Sequence, residues 1–358
     1  MSTFALPSSS TPLWGQAYEL IIDYAPNNGP KQVKLTSNTW EPEALRITFE
    51  VLQAANTAPI WHADISVYNM DPNLAQDVVL AAVQGNVYVT LKAGFQTGPN
   101  QMGVIWSSTV FQGLFTREGV VDQKLTLHCV AFPAGVSLFP QSFSMGVFSS
   151  QQKLVAKMIQ GANLPPLGPA NQGRVAAQRM QATQYPRGNT VFGTLPRYLT
   201  QVADSNGVQT WFDGLQVYVA EAASGKRAPD LIYSPPFPPG GVDAAYALPD
   251  GTTSSIIGTP VQTQQGVDFT VLLDPRLKVT AKTMIAQLVR TQINQLAVEP
   301  LSGNLPFGLA SPNNSNLTFF VTQVRHTGDT RGNIWQTDVT GWSTAYADSL
   351  LTSFGGGA

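Results

Sequence analysis

The sequence predicts a mainly β protein with α+β parts: two similar antiparallel β-barrels joined by a small α+β middle domain. Three observations carry this reading. Short runs in the first and last thirds alternate apolar and polar residues with period two, the pattern of a sheet with one buried face. The stretch between them carries helix caps and apolar stripes at helical spacing. A short pattern in the first β region also recurs in the last.

In chain order, Tyr18, Leu20, Ile22 and Tyr24 alternate with Glu19 and Asp23. Leu45, Ile47, Phe49 and Val51 oppose Arg46, Thr48 and Glu50. Val87, Val89, Leu91 and Ala93 oppose Tyr88, Thr90 and Lys92, and Leu125, Leu127 and Cys129 oppose Thr126 and His128. The turn Pro26-Asn27-Asn28-Gly29-Pro30 punctuates the series. One helix interrupts it. Asp71 is its N-cap, Pro72 its first residue, Val78, Val79 and Ala82 its buried stripe, and Gly85 its left-handed stop.

In the middle, Ser149 or Ser150 caps a helix with the stripe Leu154, Val155, Met158 and Ile159. After the Pro/Gly stretch of residues 163–169, a helix starts at Thr194-Leu195-Pro196 and ends near Asn206-Gly207; a strand follows, from about Trp211 to Ala220. The run Tyr233-Ser234-Pro235-Pro236-Phe237-Pro238-Pro239-Gly240-Gly241 reads as a loop or linker. Alternation then returns at Phe269, Val271 and Leu273, at Leu277, Val279 and Ala281, and at Leu317, Phe319 and Val321, followed by residues 334–342. The expected division is 1–140 for the first β-barrel, 141–225 for the α+β middle domain and 226–262 for a Pro/Gly-rich linker. A second barrel with a loop insertion occupies 263–348, and a glycine-ended flexible tail 349–358.

The recurring pattern is Thr97-Gly98, Gly103, Ile105-Trp106, Val110 and Gly113 in the first region. In the second it is Thr327-Gly328, Gly332, Ile334-Trp335, Val339 and Gly341. It reads as a duplicated barrel. Three copies of a chain with two such barrels would present six similar units around one axis.

Composition narrows the function. At ~100–200 residues per domain, 358 residues make two or three domains. Charged residues are 12% of the chain against the usual ~25%, and 28 glutamines help fill the gap. Amides cost less to desolvate than ions, so such a surface suits large permanent subunit contacts. The net charge of −2 argues against a nucleic-acid binder built on a basic face. One cysteine allows no intrachain disulfide. No run approaches ~18 apolar residues and the N-terminus lacks a signal-peptide pattern, so synthesis in a host cytoplasm is expected. Asn313-Asn314-Ser315 and Asn316-Leu317-Thr318 match glycan acceptors but read better as a polar loop.

Residue patterns that carry chemistry are sparse. His62, His128 and His326 lack zinc-site spacing. Cys129 falls on the face opposite His128, which places it in the core rather than in a Cys-His pair. The stretch Gly328-Asp329-Thr330-Arg331-Gly332 beside His326 reads as a hairpin turn. Asp64, Asp71 and Asp77 lie close in sequence, but Asp71 is explained as a cap. There is no P-loop, dinucleotide fingerprint or nucleophile elbow. No catalytic, cofactor or metal residue is therefore expected. Arg174, Arg179, Arg187 and Arg197 give the middle a positive bias that reads first as a solvated face. Trp106, Trp335 and Trp342, at strand and hairpin positions, are candidate interface or hairpin anchors.

Four stretches carry a resemblance. They are residues 63–70 (ADISVYNM), residues 87–95 (VYVTLKAGF) with 110–113 (VFQG), Val191-Phe192-Gly193 with the helix from Leu195 to Val202, and residues 324–335 (VRHTGDTRGNIW). In this order they resemble the baseplate hub protein family of long-tailed bacteriophages, which sits between tail tube and central spike. The resemblance implies barrels of tail-tube type and a homotrimer whose pseudo-sixfold ring connects the sixfold tube to the threefold spike. It implies a channel through which DNA passes without sequence-specific binding, and a place in the virion among other baseplate proteins. The Pro/Gly-rich insertion at 234–249 departs from the family pattern. Two other readings remain open at this level: a receptor- or carbohydrate-binding tail protein, and a tail-associated cell-wall hydrolase. A related contractile injection machine would look similar.

Overall fold

The computed structural model describes residues 15–26, 29–38, 44–54, 61–96, 102–119, 121–131, 140–168, 172–213, 216–221, 231–234, 252–254, 256–263, 266–279, 285–289, 297–298 and 316–343. The N-terminal part contains β1 (Gln16–Tyr24), β2 (Lys31–Asn38), β3 (Ile47–Ala54), β4 (His62–Tyr68), α1 (Pro72–Val83), β5 (Val87–Phe95), β6 (Gly103–Glu118) and β7 (Asp122–Val130). Each alternating run identified above buries its apolar half. Leu20, Ile22, Ile47, Val51, Val89, Leu91, Leu125 and Leu127 are all fully buried. The cap of α1 is also as expected, with the Asp71 side chain accepting from Asn73 N and Leu74 N. Gly85 sits at φ +73°, where a Cβ would be strained.

The middle segment holds β8 (Gln141–Met145), β9 (Ser149–Ser150), α2 (Gln151–Gly161), α3 (Arg174–Ala182), β10 (Gln184–Tyr185), β11 (Asn189–Gly193), α4 (Leu195–Asn206), β12 (Val208–Asp213) and β13 (Gln216–Glu221). Its strands form two-stranded ladders, β8–β11, β9–β10 and β12–β13. Ser150 is the cap of α2, accepting from Lys153 N. The residues read as a single strand near 211–220 are instead the hairpin β12–β13, turning between Asp213 and Gln216. Helix α3 has no apolar stripe long enough to announce it: only Ala176 and Met180 are buried. Arg179, read as part of a solvated face, donates to Asn206 O at 3.0 Å and so caps the carbonyl end of α4.

The C-terminal part contains β14 (Leu231–Ser234), β15 (Thr252–Ser254), β16 (Ile256–Gln262), β17 (Gly266–Leu272), β18 (Ile285–Val289), β19 (Ala297–Val298), β20 (Asn316–Asp329) and β21 (Trp335–Ser343). The stretch expected as a linker at 226–262 thus contributes three strands. Tyr233 is fully buried within one of them, while residues 235–251 lie outside the described ones. Leu277 and Val279 are buried as expected but form no strand, and Ala281 lies outside the described residues. Asn316-Leu317-Thr318 belongs to β20 rather than a polar loop; Asn313 and the glycine-ended tail lie outside the described residues.

Both β parts belong to one 15-stranded sheet. The order in the front part is β3-β4-β7-β6-β5-β1, with β2 beyond β1. In the back part it is β16-β17-β21-β20-β18-β14. The two orders agree strand for strand. They differ at one end, where β1 meets β5 antiparallel and β14 meets β18 parallel. A β-bulge falls at the same place in both, between Val110 and Gln112 in β6 and between Val321 and Gln323 in β20. Burial inverts there. Trp106, Ser108 and Val110 face inward before the front bulge, and Gly113 after it. This correspondence equates β20–β21 with β6–β7. The recurring Ile-Trp pattern had set β20–β21 against β5–β6, one hairpin too early. A glycine turn followed by an aromatic marks many hairpins, so the pattern alone does not fix which hairpin is repeated.

Candidate functional site at the joint of the two strand sets

The front and back sets meet where residues 323–329 of β20 pair antiparallel with residues 48–54 of β3. Strand β20 serves two partners on that edge, because its first residues, 316–320, pair with β18. The joint is clamped from several sides. Arg46 grips Asp329 with two parallel bonds, Nε to Oδ1 at 3.1 Å and Nη2 to Oδ2 at 2.8 Å. Arg325 pairs with Glu50 at 2.9 Å. At the hairpin turn, Thr330 N donates to Ile47 O at 3.0 Å, and Ile47 N donates to Thr330 Oγ1 at 2.9 Å. The hydrogen bonds from Arg46 hold the Asp329 carboxyl below its usual range. The turn read from Gly-Asp and Arg-Gly is real, and it also works as a tether to the front set.

Trp335 fills the joint. It is buried, its indole Nε1 donates to Gly94 O of β5 at 3.0 Å, and its ring meets Phe49 edge-on with centroids 5.2 Å apart. Gly328 makes room for this pair: a Cβ there would lie 2.3 Å from Phe49 Cζ and 2.8 Å from Trp335 Cε3. Gln53 ties a third segment in. Its Nε2 donates to Ile105 O at 3.1 Å, and its Oε1 accepts from Val279 N at 3.3 Å. Trp106 is buried in β6 and lines a small cavity of about 30 Å³ with Gln53, Ser108 and Val279. Trp342 is half-buried in β21, opposite Gly266 and Phe320. Of the three tryptophans, then, Trp335 bridges the strand sets.

Behind the joint lies a buried polar chain that sequence reasoning missed. Asp274, fully buried, accepts from Arg276 Nε at 2.9 Å, from Arg276 Nη2 at 2.6 Å and from the Tyr233 hydroxyl at 2.8 Å. Its own N–H donates to Thr337 Oγ1 at 3.1 Å. That hydroxyl lies 2.9 Å from Nδ1 of the buried His326. Burial lowers the His326 pKa to about 4, so the ring is neutral at pH 7. These five residues span 233–337, and no local spacing links them. The chain of hydrogen bonds runs from Arg276 and Tyr233 through Asp274 and Thr337 to His326 Nδ1, while the buried His326 Nε2 has no hydrogen-bond partner among the described residues.

Elsewhere, His128 Nδ1 lies 2.6 Å from Asp64 Oδ1 on a partly exposed face. Cys129 is buried, and burial pushes its thiol pKa up, as expected for a core residue rather than a nucleophile. Among the described residues no group of three or more His, Cys, Asp or Glu side chains could hold a metal ion. No described helix is long and apolar enough to cross a membrane.

No family model and no curated protein matches the sequence. Solved structures do match its fold. The tail protein of Neisseria meningitidis MC58 superposes with a TM-score of 0.52 at 9% identity, over 94% of this chain and 99% of that one. The 43 kDa tail protein of prophage MuSo2 from Shewanella oneidensis gives 0.50 at 7% identity, over 92% and 98%. A chain of the lidded Francisella PdpA-VgrG complex gives 0.50 at 9% identity; 93% of this chain is covered, but only 53% of that one. The fold is that of phage tail proteins. It accords with the baseplate hub family, which the four sequence stretches resemble.

Proposed function

We propose that the chain is a structural hub of a phage-type tail baseplate. Each strand set closes as a barrel of tail-tube type. Three copies form a pseudo-sixfold ring that joins the sixfold tail tube, or a distal tube protein, to a threefold central spike. The middle domain, about 141–225, lies between the barrels in sequence and faces the spike or other baseplate proteins. Trp335 anchors the two barrels of one chain to each other; Trp106 and Trp342 stiffen their hairpins. DNA passes through the channel during ejection. The lumen carries no continuous Lys/Arg stripe, since such a lining would hold the polyanion through counterion release. The protein resides in the virion and catalyses nothing.

The observation that carries this reading is the repeated strand order with its matched bulges. One chain holds two copies of one architecture, already joined edge to edge. Extended ladders resist shear because many backbone bonds must break together, and low surface charge permits dry subunit contacts. The test is solution mass together with end-on particle shape, measured with the spike and tube partners present. A ring of about three times 38.4 kDa supports the hub. A compact monomer under the same conditions overturns it.

A further inference from the structure

One turn of the middle domain presents an apolar tip at a conformational cost. Ser149 N donates to Gly146 O at 3.4 Å, closing a turn over Val147 and Phe148. Phe148, at the third position of that turn, sits at φ +59°. That position suits Gly or Asn, and the left-handed region strains a bulky residue. Burial does not offset the strain, because Phe148 is 68% exposed and Val147 62%. The turn is nevertheless pinned. Phe148 N donates to Tyr185 O at 2.8 Å, and Ser149 pairs with Tyr185 in the β9–β10 ladder. Strain of this kind persists only where the surroundings over-determine it, and it clusters at functional sites.

The base of the tip is cationic. Lys157 Nζ donates to Ser144 O at 3.3 Å and lies 4.6 Å from the centre of the Phe143 ring. Lys153 is one turn earlier on α2, and its N–H donates to the Ser150 cap, two residues after Phe148. Arg187 stands in the turn between β10 and β11, two residues from Tyr185. Gly188 beside it runs so close to β8 that a Cβ would lie 3.1 Å from Met145 O. Lys153, Lys157 and Arg187 are exposed, and among the described residues none of them is in an ion pair. The sequence holds no Asp or Glu between Asp122 and Asp204. In a chain of net charge −2, that is a segregation of sign.

We propose that this turn inserts Val147 and Phe148 into an anionic lipid bilayer, with Lys153, Lys157 and Arg187 meeting the phosphates behind them. Charge complementarity selects the occupant. An anionic leaflet attracts each cation that comes within a Debye length of it. Shape agrees: a convex apolar tip needs a fitted socket on a protein, but only depth in a bilayer. DNA would answer the cations and gain nothing from the valine. The contact is weak in one copy and multiplies when copies are held together. The inference goes beyond the hub reading and does not depend on it. It uses only residues 144–157 and 185–188, and leaves the rest of the domain to the baseplate contacts proposed above.

The test is flotation of the full chain with vesicles of phosphatidylglycerol and phosphatidylcholine in equal parts, against vesicles of phosphatidylcholine alone. Binding is expected only to the anionic vesicles, and it should weaken as salt is raised. Phe148→Gly should weaken it about tenfold, the loss expected for one partly buried Phe side chain. Glycine accepts the positive φ, so this variant should keep a denaturation midpoint near the parent's, which separates lost binding from lost folding. The pair Lys153→Gln and Arg187→Gln should remove the preference for anionic lipid. Depth is read from Phe148→Cys carrying an environment-sensitive fluorophore, since the other thiol, Cys129, is buried. Its emission should shift to the blue and be quenched by lipid-borne quenchers. Binding without that shift, or binding that survives Phe148→Gly undiminished, is adsorption by charge alone and overturns the insertion. Double-stranded DNA held as tightly as the anionic vesicles by both the parent and Phe148→Gly makes the basic face a general polyanion site and overturns the membrane assignment. No binding to either vesicle overturns the proposal outright. None of these results touches the hub, which stands or falls by the solution mass above.

Discussion

The front and back strand sets share an order and a bulge but fill the same space differently. In the front set, α1 follows the β3–β4 hairpin and packs on β6 at Gly113, where an added Cβ would lie 3.3 Å from Ala82 Cβ. Around α1 the buried side chains are apolar, Ile65, Val78, Ala82 and Leu127 among them, although Ser66 and Ser108 are buried elsewhere in the front set. In the back set, no helix follows β17 among the described residues. A turn at Asp274 instead drops Leu277 and Val279 into the core, with Asp274, Thr337 and His326 buried beside them. A shared topology therefore does not require a shared core. A helix buries its own backbone polar groups; a coil needs side chains to satisfy them, and Asp274 with Thr337 does this work.

This contrast can be broken most severely at Asp274. Asp274→Ala removes the carboxylate shared by Arg276 and Tyr233 and should cost ~3–5 kcal/mol, read as a lowered denaturant midpoint. No single polar substitution in the front core should match it.

Acid should distinguish the two halves next. His326 has a folded pKa near 4, against an ordinary 6.5. Between those values the unfolded chain binds more protons, so stability is complete above about pH 6.5 and falls as pH drops toward 4. The loss is up to ~3 kcal/mol. Asp329, with its lowered carboxyl pKa, adds a further loss as pH falls below its ordinary 3.8. The slope between pH 6.5 and 4 should largely vanish in His326→Gln, measured by unfolding across that range.

The glycines sharpen the comparison at smaller scale. Gly328→Ala would push a methyl into Phe49 and Trp335 and should cost about 1–3 kcal/mol, whereas Gly113→Ala, facing only Ala82 and Val79, should cost less than ~1 kcal/mol. Melting temperatures of the two variants decide this. The smallest effect is expected for Arg46→Ala. Its pair with Asp329 is partly solvated, so the loss should be at most ~1 kcal/mol and should shrink further in salt.

What the sequence made legible is what neighbours in the chain decide. Asp71, Pro72 and Gly85 bound α1 through contacts within one turn, and the alternation of Val87 to Ala93 shows its buried face directly. The β12–β13 hairpin was hidden because the run from about Trp211 to Ala220 reads as one strand by its residues alone, whereas Asp213 pairs with Gln216. Strand β14 was hidden because the prolines after Ser234 outweighed the buried Leu231 and Tyr233 before them. The joint was hidden for a different reason. Trp335 meets Phe49 and Gly94 across more than half the chain, and only the pairing of β20 with β3 brings them together. The Ile-Trp pattern matched β6 to β21, strands that the sheet order does not equate, so the shared order of the two sets is visible only in the strand pairing.

The two bulges have a consequence of their own. A pleated strand behaves like text read two letters at a time, and an extra letter changes every word after it. Deleting Phe111 would take out the extra letter itself: Gly113 would stand two residues after Val110, so Gly113 and Phe115 would keep their inward side. Deleting Thr322 would likewise leave Val324, His326 and Gly328 on the core side. A deletion at a regular position beyond the bulge, such as Leu114, is what turns the rest of the strand inside out.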